Sequence, residues 1–411
     1  MDFKNYLVPG KTGLLIGIGG VSMSPLAEVL HDAGLDIRGS DMAESSNTLT
    51  LRERGIPIHI GHSADNVTDD ISFVIRTAAV HDDNPEVHEA HRRGIPVFER
   101  TQAWGALMRG YQNALCISGT HGKTTTTSMC THIMMAAEKD PTVMIGGTLP
   151  LLKACHRVGK GNTIIMESCE YYNSFLALNP TIAVVLNIEA DHLDFFKDLE
   201  DIKHSFRCFA ERVPAETGTV IANYDDANTM DALRGIARKV ITFGLNAKAD
   251  VYAQNIVHRG SVSEFDIYHR GNYFARVTLH VPGIHNVRNA LAATAAAIVL
   301  GVSPNAVKYG LAGFEGAGRR FDFKGKFQGA DLYDDYAHHP SELRALLDAV
   351  DTLNYQRTIV VFQPHTYSRT AKLFNDFVEQ LRRPTIVYMA EIYAAREKNT
   401  IGISSADLAA Q

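Results

Sequence analysis

The run Ser118-Gly119-Thr120-His121-Gly122-Lys123-Thr124-Thr125 sits between an apolar stretch and a helix-forming one. That context suits a phosphate-binding loop. Backbone N–H groups of a glycine turn and of a helix start point at phosphate oxygens. Lys123 would neutralise a β/γ-phosphate and the Thr124 hydroxyl would hold Mg²⁺. The pattern departs from the full G-x-x-x-x-G-K-[ST] loop at Ile117, where the first glycine belongs. A second glycine run, Gly17-Ile18-Gly19-Gly20-Val21-Ser22, is followed by Asp41 at the distance of a ribose-binding carboxylate. By itself it reads equally well as a tight turn.

Further candidates stand where strands should end. Glu167 closes the apolar run 163–166, and Asn187-Ile188-Glu189-Ala190-Asp191-His192 follows the run 182–186. A carboxylate and a histidine beside a phosphate loop suit Mg²⁺ coordination and phosphate contact. Alone, Glu167 reads equally as a solvated strand-end carboxylate, and His192 reads better as a capping or core histidine than as a ligand; the phosphate loop upstream favours both. Asn286 and Asn289 open an Ala-rich helical stretch, where they can cap or face a nucleotide. In Asp334-Asp335-Tyr336-Ala337-His338-His339-Pro340, two acids and two histidines invite a zinc reading. Neighbouring histidines point in different directions and no further ligand set is obvious, so that reading is not favoured. Phe362-Gln363-Pro364-His365-Thr366-Tyr367-Ser368-Arg369 again follows a strand, and Arg319-Arg320 marks a boundary from which a cation can reach a phosphate.

The elements that must position these groups alternate. Strands are expected at 14–18, 35–39, 73–76 and 96–98, with helices at 25–32 and 85–93. A second unit has strands at 115–118, 163–167 and 182–186, and a helix at 123–137. Three antiparallel strands follow at 251–257, 264–268 and 273–279, then a helix at 285–300. A third unit alternates strands 331–333, 358–362 and 385–389 with helices 341–349 and 370–381. Strand–helix alternation argues for parallel sheets covered by helices, an α/β fold.

The chain has 411 residues, 45% hydrophobic and 21% charged. Three domains are the central expectation, and disorder is excluded by the apolar content. The net charge of −6 argues against a nucleic-acid partner. Five cysteines without a C-x-x-C pair fit a reducing compartment rather than a disulfide framework. The N-terminus shows no export signal. The longest apolar run, 290–302, is too short to cross a bilayer. A cytoplasmic location, with no membrane partner, is expected.

Together these motifs resemble the Mur ligase family over essentially the whole chain. Gly119 to Thr125 resembles the family's shortened phosphate loop, and Gly17 to Ser24 with Gly39-Ser40-Asp41 resembles a UDP-binding domain. Asn187 to His192, Gly283 to Asn289, Gly318 to Asp322 and Asp334 to Pro340 match as well. The resemblance implies three domains: 1–111, Rossmann-like, for a UDP sugar; 112–317, an ATPase with an antiparallel β addition; and 318–411, Rossmann-like, for the incoming amino acid. It implies ATP-dependent joining of L-alanine to the lactyl carboxylate of UDP-N-acetylmuramate, through an acyl phosphate, in bacterial peptidoglycan synthesis. ATP and Mg²⁺ would be required, and the protein would be a monomer or homodimer. The alternatives are a ligase that reattaches a recycled tripeptide to the same sugar, and a nucleotide binder without ligase activity.

Residue by residue, the resemblance puts Gly119, Thr120, His121, Gly122, Lys123, Thr124, Thr125, Asn286 and Asn289 at ATP. It puts Thr124, Glu167 and His192 at the metal, and Arg320 and Asp335 (or Asp334) at the nucleotide from the boundary and the third domain. Lys123, Glu167, His192, Arg320 and Asp335 are the catalytic set. Gly17, Gly19, Gly20, Ser24, Ser40 and Asp41 fall on the UDP sugar, and His365 and Arg369 on alanine. Many relatives carry Arg where Thr366 stands, which loads alanine's carboxylate onto Arg369. The family also continues beyond the position of Gln411, so a shortened third domain is expected.

Overall fold

A computed structural model describes residues 2–77, 79–395 and 397–411. The first sheet contains β1 (Thr12–Ile16), β2 (Asp36–Asp41), β3 (Ile58–Ile60), β4 (Ile71–Arg76) and β5 (Val97–Glu99) in the order β3-β2-β1-β4-β5. All four pairings are parallel. Helices α1 (Ser24–Asp32), α2 (Ser46–Glu53), α3 (Pro85–Arg92) and α4 (Arg100–Met108) connect or follow these strands. The order in which strands are added reverses between β1 and β4, the switch point at which doubly wound sheets open a crevice.

The second sheet has ten strands. Six form its parallel centre: β6 (Asn113–Ser118), β7 (Thr142–Leu149), β9 (Thr163–Glu167), β10 (Ile182–Val185), β11 (Thr219–Asn223) and β12 (Lys239–Gly244). Burial on both faces explains their near-continuous apolar sequence. β8 (Ala154–Arg157) is antiparallel at one edge. β13 (Val251–Arg259), β14 (Val262–His269) and β15 (Asn272–Leu279) form the expected antiparallel extension at the other. In the turn between β14 and β15, Arg270 and Gly271 have φ of +51° and +80°. Two positive φ values in a two-residue loop match the twist of the flanking strands. Helices α5 (Lys123–Ala136), α6 (Leu199–Glu211), α7 (Ala227–Ala232), α8 (Ile284–Val299) and α9 (Pro304–Ala312) pack around this sheet.

The third unit departs from the expected simple alternation. β17 (Ala330–Asp334) pairs antiparallel with β16 (Asp322–Phe327) through the turn Gln328-Gly329, φ +48° and +85°. The parallel pair β18 (Ile359–Phe362) and β19 (Ile386–Met389) is a separate sheet. α10 (Pro340–Asp351) starts where Pro340 predicts it. The helix expected over 370–381 is two, α11 (Tyr367–Lys372) and α12 (Phe374–Leu381), broken at Leu373. α13 (Ser405–Ala409) follows.

The first two units share one apolar core. Trp104 of α4 and Phe175, in the short 3₁₀ segment Tyr171–Ala177, belong to the same buried cluster. Asn179 donates from Nδ2 to the Gly105 carbonyl at 2.8 Å, and a Cβ on Gly105 would lie 2.0 Å from the Ala177 carbonyl oxygen. Backbone meets backbone here, so neither side can yield by a rotamer change. Gly105→Ala is therefore expected to lower stability by about 1–3 kcal/mol, read as a denaturant midpoint shift. An unchanged midpoint would show that the two units can separate at this point without cost.

Candidate nucleotide and ligation cleft

Three neighbouring strands, β9, β6 and β10, end side by side and release the loops that carry most of the candidate chemistry. Ile117 is still in the ladder, opposite Glu167, so the loop's first glycine is Gly119, two residues later than in the full motif. Gly119 has φ +144° and Gly122 φ +83°, and a Cβ on Gly122 would strike Asn289 Oδ1 at 2.7 Å. Both positions therefore require glycine. Asn187 clamps the loop. Its Oδ1 accepts the His121 N–H at 2.8 Å and its Nδ2 donates to the His121 carbonyl at 3.1 Å. The Thr120 hydroxyl accepts the Glu189 N–H at 2.9 Å.

Lys123 opens α5 with its ammonium group buried. It donates to the Gly119 carbonyl and lies 3.0 Å from Glu170 Oε2. Burial opposes its charge, but the neighbouring carboxylates, Glu170 foremost and Glu167 with it, together outweigh burial and raise its pKa above the ordinary lysine range. Thr124 donates to Glu167 Oε1 at 3.0 Å, and the Gly146 N–H holds Glu167 Oε2 at 2.6 Å. Adjacent hydroxyl and carboxylate oxygens are what a hard cation takes, so these residues fit Mg²⁺. His192 lies on the same wall, stacked on Tyr171 at 4.4 Å with Nε2 3.9 Å from Glu170.

The third unit closes over these loops. Arg320 reaches Thr124 Oγ1 at 3.4 Å and lies 5.3 Å from the Tyr336 ring centroid. Asp335, not Asp334, turns inward. Its oxygens accept the Phe321 and Ala337 N–H groups at 2.7 and 2.8 Å, and burial raises its pKa. Asp334 faces Arg319 instead. Glu342 accepts from His121 Nδ1 at 3.2 Å, and the Ser341 hydroxyl donates to Glu189. Burial alone would lower the His121 pKa, but Glu189 and Glu342 raise it to about 9.

Two cavities meet at this closure. One, about 560 Å³, lies between the central and third units and is lined by Thr125, Asn286, Asn289, Phe314 and Asp335. The other, about 1000 Å³, touches all three units: Ser24 and Glu28 of the first, Lys123, Thr124, Glu167 and His192 of the second, His365 and Arg369 of the third. His121, Gly122, Arg320 and Glu342 line both. Asn286 donates to the Pro282 carbonyl and accepts from Asn289, which fixes both amides at the smaller cavity.

Several expected residues stand apart. Gly17, Gly19, Gly20, Ser40 and Asp41 are not in either cavity wall. Ser40 is fully buried and donates to Glu86 at 2.7 Å, so it supports the glycine loop from below rather than facing a ligand. Asp41 accepts the Gly19 N–H at 2.8 Å and holds that loop's shape. Arg369, expected to receive a carboxylate, already has one. Its Nε and Nη2 lie 3.2 and 2.8 Å from Asp191 Oδ1, and Nη1 lies 3.1 Å from His365. Both partners are nearly buried, and Asp191 stays ionised far below the usual range because His192 and Arg369 outweigh its burial. Glu170, Glu342 and the Glu28–His156 contact at 3.1 Å were missed, because their partners are remote in sequence.

Residues 15–112 match the family described as "Mur ligase family, catalytic domain", 117–297 the "Mur ligase middle domain" and 319–411 the "Mur ligase, glutamate ligase domain". A UDP-N-acetylmuramate–L-alanine ligase of Agathobacter rectalis is 47% identical over 394 residues, 96% of this chain and 86% of that one. The chain belongs to the Mur ligase family. Among solved Mur ligase structures, the UDP-N-acetylmuramate-alanine ligase of Thermotoga maritima matches with a TM-score of 0.77 and 31% identity, covering 93% of this chain and 85% of that one. A UDP-N-acetylmuramate:L-alanyl-γ-D-glutamyl-meso-diaminopimelate ligase from Neisseria meningitides gives 0.68 and 26%, covering 75% and 99%.

Two outcomes follow for this Mur ligase. Removing the Arg369 side chain strands a buried Asp191 charge, so Arg369→Ala should cost about 3–5 kcal/mol of stability. Arg369→Gln with Asp191→Asn should cost much less than the sum of its parts, and a double-mutant cycle with no coupling would dissolve the latch. The raised His121 pKa stabilises the closed contact fully below pH 6.5 and loses it as pH rises through about 9. Wild-type thermal stability should therefore fall more steeply over that interval than that of Glu342→Gln.

Proposed function

We propose that this chain joins L-alanine to the lactyl carboxylate of UDP-N-acetylmuramate at the expense of ATP, releasing ADP and phosphate. The observation that carries this reading is the meeting of the two cavities at the phosphate loop. A nucleotide in the smaller cavity presents its terminal phosphate into the larger one, where substrates from the first and third units converge. We infer unit boundaries near residues 111–112 and 317–318. The reaction belongs in the bacterial cytoplasm, where its ATP is held, and no described helix is long and apolar enough to cross a membrane.

A lactyl carboxylate oxygen attacks the γ-phosphorus in line, and the bond to the β–γ bridging oxygen breaks. ADP leaves and an acyl phosphate remains. Alanine's amine then attacks the acyl carbon, the acyl–oxygen bond breaks, phosphate departs, and the nitrogen loses its proton. Both reactants of the first step are anions, so charge compensation is the main requirement. Lys123 exchanges Glu170 for the γ-phosphate, and Arg320 approaches the same phosphate from the boundary. Thr124, Glu167 and His192 would hold Mg²⁺, which would supply neutralising charge to the polyphosphate. Gly119, Gly122 and the first-turn N–H groups of α5 cradle the phosphates, while Asn286, Asn289 and Asp335 line the nucleoside end. Ser24 is the member of the first-unit set placed to meet the sugar substrate. His365 and Arg369 face alanine, with Asp191 holding Arg369 in place. Closure of the third unit excludes water from the acyl phosphate.

Reattachment of a tripeptide is the second reading, supported by the likeness to the Neisseria enzyme. One assay separates them: ADP release with UDP-N-acetylmuramate and either alanine or the tripeptide. Alanine should drive turnover. Lys123→Ala and Glu167→Ala should each lower it by orders of magnitude while UDP-sugar binding persists. Near-normal ADP release from either variant would remove it from the site.

A further inference from the structure

We propose that His121, Glu189 and His339 form a site for a soft divalent cation of the Zn²⁺ type, built across the seam between the central and third units. One ligand atom from each lies within 4.8 Å of the others. The two imidazoles are offset neighbours, ring centroids 5.0 Å apart. Nε2 of His121 and Nε2 of His339 are both buried, and neither has a hydrogen-bond partner among the described residues. His339 is only 5% exposed. A buried polar nitrogen left unpaired costs about 1–3 kcal/mol, and two of them beside one carboxylate are a donor set that suits a cation.

The surroundings orient the donors. His121 gives its Nδ1–H to Glu342 at 3.2 Å, which aims Nε2 at Glu189 Oε2 over 3.4 Å, and a cation there would displace the Nε2 proton. A carboxylate behind a ligating histidine is the usual support of a zinc ligand. Ser341 donates to Glu189 and holds it in place. His339 accepts the Ser341 N–H at Nδ1 over 3.3 Å, a long contact. Binding through Nε2 moves the ring proton to Nδ1 and exchanges that contact for the metal bond. Two imidazoles and one carboxylate suit zinc with one position left open. The Thr124–Glu167–His192 set is richer in oxygen and shares no ligand with this one. Because His121 and Glu189 line the nucleotide cavity, the open position faces it. A bound ion would tie the phosphate loop to α10 and hold the seam shut. Neither His338 nor any other residue near His339 in sequence completes the site, so the primary structure conceals it.

The test titrates Zn²⁺, then Co²⁺, into the full chain freed of metal by a chelator, without nucleotide. One equivalent should bind, raise the melting temperature, and give Co²⁺ the visible absorption of a four-coordinate site. Excess Mg²⁺ should not displace it. His339→Asn keeps a helix-capping side chain and should weaken binding at least about a hundredfold, since even supporting residues are worth 10–100-fold. Glu189→Gln should do the same, and His338→Asn should leave binding intact. Absence of a stoichiometric ion, its displacement by Mg²⁺, or unchanged affinity in His339→Asn and Glu189→Gln would each overturn the proposal.

Discussion

A lysine ammonium buried at the mouth of a phosphate loop needs an anion, and the architecture of the central unit follows from that need. Glu170 meets Lys123 because β9 lies beside β6, and both strands release their loops at the same end. β10 on the other side of β6 supplies Asn187, which fixes the loop's backbone, and Asp191, which reaches the third unit. A parallel sheet gathers chain ends that are far apart in sequence. An antiparallel hairpin would have sent alternate loops to the opposite edge.

The seam between central and third units is built from charged and polar groups. Asp191–Arg369, His121–Glu342 and Arg320–Thr124 all cross it. Such contacts are directional and strongly position-dependent, so the third unit can dock in one orientation and still release. Geometry of this kind suits a cleft that must exclude water for one step and let products leave afterwards.

Much of this was legible in the sequence. The phosphate loop, Glu167, Asn187 to His192 and the start of α10 at Pro340 stand where apolar runs and turn residues place them. Chemistry tied to strand ends is local information. What escaped was long-range. Ser40 looks like a ligand residue beside Asp41, but Glu86 occupies its hydroxyl. Arg369 looks like a free cation until Asp191 is brought to it. The hairpin of β16 and β17 hid within an expected alternation because β16, with a charged residue at three of its six positions and no buried one, offers no apolar run. The split of one helix into α11 and α12 had no strong breaker at Leu373 to announce it.

The apolar core treats the three units unequally. One buried cluster runs from Phe3 and Trp104 in the first unit to Phe175 and Phe206 in the second, whereas Leu343, Phe362, Phe377 and Leu408 form a cluster of their own. A part with its own core, attached through charged side chains, can be replaced in descent without opening the apolar interior of its neighbours. Residues that differ between lineages in such a part would alter which acceptor is delivered, while the nucleotide chemistry is inherited unchanged. A chimera joining residues 1–317 to the third unit of another family member should accordingly fold, and its choice of amine should travel with the graft.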